Sequence, residues 1–428
     1  MARSSTSAFF QLYLLSAIPL FAVESWTDFR GPTGDGIVEG KVGVPLEWSE
    51  DKNVVWKTEV KGRAWSTPAV LGGQVWVTNA TEDGKKMSAV CLDRETGKVI
   101  HDLLLFENEN PEPLGNNVNG YGSPSPTIEE GRVYIHFGSY GTACIDTANG
   151  KTLWERRDLK CQHLRGPGSS PVLYGDTLIL TMDGADVQYL IALDKKTGKD
   201  VWKTERSTVW KDIQPDGSIK ANGDARKAYT TPTFVEVAGK MQMISPGAKA
   251  CFGYDPETGK ELWTLTYGGF SNASRVITAD GMAFINTGFG KPHLLGVRLD
   301  DKMQGDITGS HVEWDIFKRV PKRSSPVVLD GHIYMVSDEG ILSCLDTADG
   351  SEVWSDRLRG HFSASALAVD GRIYFFSEMG DAFAIAPGDE FELLAKNHFD
   401  AGFMASAAVA GKAFFLRTKT HVYRVEEK

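Results

Sequence analysis

The chain has 428 residues, a formal net charge of −10 at neutral pH, 45 glycines and 18 prolines. This length is large for one ordinary domain but normal for a closed repeat fold, and the turn-forming residues favour many short strands. The acidic balance argues against a general nucleic-acid binder, which would carry a basic stripe.

Residues 1–25 have the pattern of a secretory signal peptide. Arg3 supplies a positive start, and the stretch from Ala8 to Ala22 is largely apolar but short for a membrane span. We therefore predict an exported protein, periplasmic or extracellular, with no membrane span after signal cleavage. An uncleaved membrane anchor is the alternative.

After the signal, residues 26–52 form an N-terminal extension and residues 53–428 a single domain. The domain opens with a strand pattern at residues 53–60 that contains Trp56, yet no repeat unit precedes it.

A short phrase then recurs about every 40 to 60 residues, in which Gly lies four residues after Asp and Trp eight residues after it. Four full copies begin at Asp146, Asp194, Asp255 and Asp346. Asp can bond its own turn amides and Gly can adopt a left-handed conformation, so the phrase predicts a turn between two strands. Such a period indicates a modular architecture.

A hydroxyl residue opens each unit, and an apolar strand follows it. These residues are Thr67, Ser125, Ser170, Thr231, Ser274, Ser325, Ser365 and Ser406. Their number predicts an all-β fold, an eight-bladed β-propeller of four-stranded antiparallel blades. We expect the hydroxyls to bond backbone groups where each inner strand begins; the alternative is a ring that holds water or a ligand in the channel.

The two ends of the domain predict how the ring closes. The last unit, from Ser406, has three strands and no Trp strand, whereas residues 53–60 form a Trp strand without a unit. We expect the N-terminal strand to complete the last blade, which removes two unpaired sheet edges. Each repeat Trp is expected to pack against the neighbouring blade.

The phrase from Ala192 to Trp202 resembles the tryptophan-docking repeat of quinoprotein-type (PQQ-like) β-propellers. The resemblance covers nearly the whole mature chain and implies the fold. It leaves function open, because this repeat serves quinone-dependent dehydrogenases, outer-membrane assembly scaffolds and uncharacterised exported proteins. The stretch from Trp26 to Pro32, followed by Gly34-Asp35-Gly36, resembles the opening of a group of exported bacterial propellers.

The resemblance brings pyrroloquinoline quinone (PQQ) and calcium as possible cofactors. Quinone-dependent dehydrogenases of this fold place a disulfide between adjacent cysteines over the quinone, with Glu, Asn and Asp around the calcium ion. No two cysteines are neighbours here: they are Cys91, Cys144, Cys161, Cys251 and Cys344. We therefore assign no cofactor and no metal, and we expect buried, unpaired thiols.

Candidate ligand-binding residues lie in the loops that share the top face of a propeller. They are Arg63, Trp65, Tyr121, His163, Arg165, Asp183, Asp186, Arg226, Tyr229, Lys249, Lys291, His293, Arg323 and His361. We expect four cations among them to converge on the central channel and bind an anionic group, namely Arg165, Arg226, Lys249 and Arg323. Trp65, Tyr121 and Tyr229 would supply flat apolar contacts. The alternative is that these are solvated loop charges, some paired with Asp183 or Asp338.

The favoured function is a ligand- or protein-binding scaffold of the cell envelope, expected to be a monomer without catalysis of its own. Its partner would be a small molecule, a glycan or an envelope protein, and not nucleic acid. One alternative is an oxidoreductase that uses PQQ and calcium, and another is a carbohydrate-active or carbohydrate-binding envelope protein. No GxSxG or HExxH motif supports a hydrolase, and no catalytic residue is assigned.

Overall fold

The computed structural model describes residues 23–428, so most of the predicted signal peptide lies outside the described residues. Eight small antiparallel sheets form a ring, and the predicted eight-bladed β-propeller is confirmed. Among residues 23–428, no helix is long and apolar enough to cross a membrane.

The first half of the ring follows a single short strand, β1 (Val54–Glu59). Blade 1 contains β2 (Ala69–Leu71), β3 (Gln74–Ala80), β4 (Lys86–Asp93) and β5 (Val99–Glu107). Blade 2 contains β6 (Thr127–Glu129), β7 (Arg132–His136), β8 (Thr142–Asp146) and β9 (Thr152–Arg156). Blade 3 contains β10 (Val172–Tyr174), β11 (Thr177–Asp183), β12 (Gln188–Asp194) and β13 (Asp200–Glu205). Blade 4 contains β14 (Thr233–Val237), β15 (Lys240–Pro246), β16 (Ala250–Tyr254) and β17 (Glu261–Thr266).

The second half repeats the pattern. Blade 5 contains β18 (Ile277–Ala279), β19 (Met282–Asn286) and β20 (Leu294–Arg298), and after the short β21 (Gly305–Asp306) it ends with β22 (Val312–Ile316). Blade 6 contains β23 (Val327–Leu329), β24 (His332–Val336), β25 (Ile341–Asp346) and β26 (Glu352–Arg357). Blade 7 contains β27 (Leu367–Val369), β28 (Arg372–Phe376), β29 (Asp381–Ile385) and β30 (Leu393–His398). Blade 8 contains β31 (Ala408–Ala410), β32 (Ala413–Arg417) and β33 (His421–Val425). Short 3-10 segments lie at Gly138–Tyr140 and Lys220–Arg226.

The N-terminal strand closes the ring, as predicted. β1 pairs antiparallel with β33, with Trp56 opposite Arg424 and Glu59 opposite His421. Blade 8 therefore has the order β1-β33-β32-β31, so the N-terminal strand supplies the fourth strand that the C-terminal unit lacks.

Most of the repeat tryptophans pack on the turn of the next blade; Trp263 instead donates its indole N–H to the Gln242 side chain of its own blade at 2.8 Å. The Trp154 indole N–H donates to the Lys195 carbonyl at 3.0 Å, and the Trp202 indole N–H donates to the Pro256 carbonyl at 3.1 Å. The Trp202 ring also covers Gly259, whose φ is +70°, and a Cβ there would lie 2.5 Å from the ring. The Asp-to-Gly turn is thus both a chain reversal and a docking surface for an indole.

One strand was not predicted. β21 comes from the connection between β20 and β22 of blade 5, yet it pairs in parallel with β17 of blade 4. The sequence shows only a longer spacing between Asp300 and Trp314 in this unit. The extra pairing covers the outer edge of blade 4.

All five cysteines are buried and unpaired, as predicted. Three of them occupy equivalent positions in different blades: Cys91, Cys144 and Cys344. They act as small apolar residues between the sheets.

Candidate functional site

The eight hydroxyls sit where the inner strands begin, and most of them join neighbouring blades. The Ser125 hydroxyl accepts a hydrogen bond from the Thr67 N–H at 2.9 Å, and Ser170 accepts from the Ser125 N–H at 2.9 Å. The pattern continues with Thr231 and, in the second half of the ring, with Ser325, Ser365 and Ser406. For these six hydroxyls the predicted role as partners of backbone groups is confirmed, and the backbone belongs to the preceding blade. Among residues 23–428, the buried hydroxyls of Thr67 and Ser274 make no hydrogen bond.

A cavity of about 540 Å³ lies inside this ring of hydroxyls. Five of the hydroxyls line it, from blades 2, 3, 4, 7 and 8: Ser125, Ser170, Thr231, Ser365 and Ser406. Because these blades are distributed around the ring, a cavity that all of them line must lie on the propeller axis. Its volume is within the usual range for small-molecule sites.

Aromatic side chains make much of the remaining wall. Trp65 and Tyr229 lie here, together with Phe270 and Phe289 from the loops of blades 4 and 5. The Trp65 indole N–H donates to the Val118 carbonyl at 3.0 Å, which fixes its ring. The cavity therefore combines flat apolar surfaces with a polar ring of hydroxyls.

Two cations on the cavity wall share one carboxylate. The Lys227 side chain is 1% exposed and its ammonium bonds the Asp224 carboxylate. The Arg165 guanidinium lies 3.5 Å from the same carboxylate, and its side chain is 35% exposed. The cluster of Arg165, Lys227 and Asp224, here called the cationic cluster, carries a net charge of +1.

Local packing positions this cluster. The Asn119 amide donates to the Arg165 carbonyl at 2.9 Å and to the Pro167 carbonyl at 3.0 Å, which holds the loop before β10. Gly115 leaves room for the guanidinium, because a Cβ there would lie 2.5 Å from Arg165 Nη1.

Burial and mutual contact shift the pKa values of two groups in the cluster. Burial lowers the pKa of Lys227, although the hydrogen bond to Asp224 acts in the opposite direction. Partial burial acts to raise the pKa of Asp224, but the Lys227 ammonium bonded to it gives a net lowering. A second anion in the cavity would therefore stabilise the charged lysine further.

Arg323 also lines the cavity, but carboxylates balance its charge. Its guanidinium lies 3.0 Å from Asp338 and 3.5 Å from Glu378. Ser363, another lining residue, donates to Glu378 at 2.6 Å. This part of the wall offers no excess positive charge.

The other two cations expected at the channel are not among the lining residues. Arg226 makes a bidentate pair with Asp212 at 2.9 and 2.5 Å and lies over the Trp210 ring. The Lys249 ammonium donates to the Gly268 carbonyl at 2.6 Å. Arg226 is thus neutralised by Asp212 of its own loop, whereas Lys249 bonds a backbone carbonyl of the loop after β17.

Four further candidates hold the loops themselves. His163 accepts from the Ser139 N–H at 2.9 Å, and the Tyr121 hydroxyl donates to the Glu112 carbonyl at 2.6 Å. The remaining two are Asp183, in a buried ion pair with Arg206, and Asp186, which accepts from the N–H groups of Gln162 and Val187.

The last four candidates lie outside the cavity wall. The Arg63 guanidinium lies 6.0 Å from the Trp65 ring, and the Lys291 ammonium lies 3.5 Å from the Phe317 ring. His293 bonds Asp315 at 2.6 Å, and His361 is exposed. Of the predicted residues, the cavity brings together Trp65, Arg165, Tyr229 and Arg323.

Sequence reasoning missed several residues of the wall, above all Phe29, Asp224, Lys227 and Phe270. Lys227 directly follows Arg226, which was predicted, so the sequence had indicated the correct loop but the wrong cation. Phe29 lies in the motif from Trp26 to Pro32, which was noted without a role.

The lining residues do not fit a calcium-bound quinone. Asp224 is the single carboxylate on the wall, whereas calcium requires six or more oxygen ligands. Within residues 23–428, no group of three or more His, Cys, Asp or Glu side chains could hold a metal ion. None of the five cysteines lines the cavity.

A comparison with protein families decides where the chain belongs. The model of the family described as outer membrane protein assembly factor BamB matches residues 37–157, 85–210 and 253–390, more than half of the chain. The chain belongs to this family of PQQ-like β-propellers.

Two curated relatives with different names are similar to the chain. The 1-butanol dehydrogenase (quinone) of Thauera butanivorans is 28% identical over 169 residues, which cover 33% of this chain and 24% of that enzyme. The tetrathionate hydrolase of Acidithiobacillus ferrooxidans is 22% identical over 396 residues, 75% of this chain and 72% of that enzyme. The chain thus matches only about a quarter of the length of the butanol dehydrogenase.

Solved structures show the same fold. Quinohemoprotein alcohol dehydrogenase from Comamonas testosteroni superposes with a TM-score of 0.63 at 13% identity, over 95% of this chain and 81% of that chain. BamB from Moraxella catarrhalis gives a TM-score of 0.54 at 16% identity, over 83% of this chain and 96% of that chain. At such identities the likeness extends to the fold alone.

Proposed function

We propose that this propeller is an exported binding protein that holds a small organic anion in its central cavity and does no chemistry on it. The observation that carries the proposal is the cationic cluster, with two cations and one carboxylate on the wall of an aromatic-lined cavity. The signal pattern of residues 1–25 supports export.

The cluster suits an anionic head group. Arg165 is partly exposed and can make a bidentate contact with a carboxylate, while Lys227 adds a buried point charge. Hydrogen bonds between charged groups contribute about 1.5–3 kcal/mol each. Trp65, Tyr229 and Phe270 would cover a flat apolar body.

The composition of the wall favours binding over catalysis. No histidine is among the lining residues, so none of the ring hydroxyls has an adjacent imidazole base in the cavity. The description of the matched family, an outer membrane protein assembly factor, is that of a protein with a binding role.

Titration with 8-anilinonaphthalene-1-sulfonate (ANS), a flat aromatic anion, tests the proposal. We expect a fluorescent one-to-one complex that Arg165→Gln and Lys227→Met each weaken at least tenfold, or about 1.4 kcal/mol. Arg319→Gln is the matched control, because Arg319 is a solvent-exposed cation paired with Glu352. Wild-type affinity in Arg165→Gln, with an unchanged circular dichroism spectrum, would overturn the proposal.

Competition against bound ANS separates the alternatives. Benzoate should displace the dye, whereas neutral sugars should not. Displacement by PQQ that strengthens when calcium is added would support the oxidoreductase alternative and contradict a metal-free anion site.

A further inference from the structure

The extension from Trp26 to Val38 crosses the propeller axis. The Trp26 N–H and C=O pair with Val70 of blade 1 at 2.8 Å. A few residues later, the Arg30 guanidinium donates to the Pro326 carbonyl of blade 6 at 2.7 Å. Blades 1 and 6 lie on different sides of the ring, and Phe29, between these anchors, lines the cavity.

Two buried arginines fix this crossing. Arg30 is 1% exposed and donates to the carbonyls of Ala366, at 2.9 Å, and Pro326. Arg275 of blade 5 donates to the Phe29 carbonyl and lies 3.8 Å from the Asp28 carboxylate. These contacts hold the backbone of Phe29 from both sides.

Glycines make the close approach possible. Gly34 has a φ of +76°, and a Cβ there would lie 2.5 Å from the Arg275 guanidinium carbon. Gly36 has a φ of +77°, and its Cβ would lie 2.6 Å from Arg30 Nη2. The opening motif therefore encodes a segment that packs closely on the Arg275 guanidinium of the propeller and on the guanidinium of its own Arg30.

The contacts place this segment just below the ring of hydroxyls. Pro326 and Ala366 directly follow the ring residues Ser325 and Ser365, and Arg275 follows Ser274. The cationic cluster lies in the loops that precede the inner strands, on the other side of the ring. The cavity wall thus extends from the loops that carry the cationic cluster to Phe29.

We infer that Phe29 forms the floor of the ligand site and determines the length of ligand that the cavity accepts. The inference rests on the proposed function, since it concerns the same cavity. With its anionic group at the cationic cluster, a ligand would extend down the axis until its far end meets the phenyl ring.

A series of 4-alkylbenzoates that displace ANS measures this length. In the wild type, we expect each added methylene to raise affinity about fourfold until the chain meets Phe29, after which affinity falls. Phe29→Ala should move the optimum to a longer chain, and Phe29→Trp to a shorter one. Phe317→Ala, at an exposed phenylalanine outside the lining, should leave the optimum unchanged.

The two proposals fail in different ways. An identical optimum in wild type, Phe29→Ala and Phe29→Trp, or no optimum in the wild type, would overturn the role of Phe29 even if ANS binding still depends on Arg165. Loss of the Arg165 dependence would instead overturn the proposed function. If Phe29→Ala lowers the unfolding temperature strongly, Phe29→Leu gives the same comparison with a smaller change.

Discussion

Asp183 and Arg206 form an ion pair that solvent does not reach. Their side chains are 0% and 1% exposed, and the charged atoms lie 2.6 Å apart. Arg206 also donates to the Ser245 carbonyl at 3.0 Å, so it ties blade 3 to blade 4. Asp183 thus neutralises a buried guanidinium that connects two blades.

Replacing Asp183 by Ala should destabilise the protein by about 3–5 kcal/mol, because Arg206 would remain buried without a counter-charge. Asp200→Ala removes the exposed partner of Arg156 and should cost less than about 1 kcal/mol. Urea denaturation followed by tryptophan fluorescence measures both free energies of unfolding. Equal losses in the two variants would contradict this account.

At the scale of single residues, the sequence could not say which neighbouring side chain enters the cavity. Arg226 and Lys227 are adjacent cations, yet Arg226 pairs with Asp212 and Lys227 lines the wall. A turn just before them contains Ala221 and Asn222 with a positive φ of 51° and 53°. Left-handed residues other than glycine give little compositional signal.

At the scale of elements, two kinds of contact in the repeat unit join neighbouring blades. A tryptophan on the outer strand packs on the next turn, and a hydroxyl on the inner strand accepts an N–H from the preceding blade. The residues that make both contacts could be recognised in the sequence because each recurs at a fixed position in the unit. The extension could not be placed in this way, because the motif around Phe29 occurs once and its partners, Arg275 and Pro326, are remote in sequence.

Trp202→Ala should lower the free energy of unfolding by about 3–5 kcal/mol, because it removes an indole from the surface of Gly259 and leaves a void between blades 3 and 4. Val201→Ala is the control, since Val201 is 51% exposed on the same strand. Chemical denaturation compares the two. A loss well under 1 kcal/mol in Trp202→Ala would show that this indole does not join the blades.

At the scale of the whole molecule, counting repeats sufficed to predict eight blades and the shared last blade. The pairing of β1 with β33 follows from one missing strand and one unmatched strand. β21 escaped prediction because its pairing depends on the outer edge of blade 4 and not on its own two residues. The cavity required coordinates, since its wall draws residues from every part of the ring.

Acid should weaken the folded ring through two histidines of the blade 2 region. Burial lowers the pKa of His136 to about 3 and that of His163 to about 4, below the ordinary value of 6.5. Protonation therefore favours the unfolded chain, and stability present above about pH 6.5 is lost as the pH falls. Asp28 acts in the opposite direction, because burial raises its pKa to about 6.

Single variants separate these contributions. Between pH 7.5 and pH 5, His163→Gln should lose about 2 kcal/mol less stability than the wild type, because the amide can accept from Ser139 without titrating. Val201→Ala, which replaces an exposed residue that does not titrate, should follow the wild type. Urea midpoints at the two pH values measure the difference, and parallel curves for all three proteins would refute the assignment.

Closure by the N-terminal strand also means that the last blade cannot be completed until the whole chain has been synthesised. β1 leaves the ribosome early, but its partner β33 is made only after seven other blades. During translation the edges of β1 remain open to wrong partners, and the final contact must join segments far apart in sequence. We therefore expect the pairing of β1 with β33 to be a slow step in folding, and the chain to be most prone to aggregation before that pairing forms.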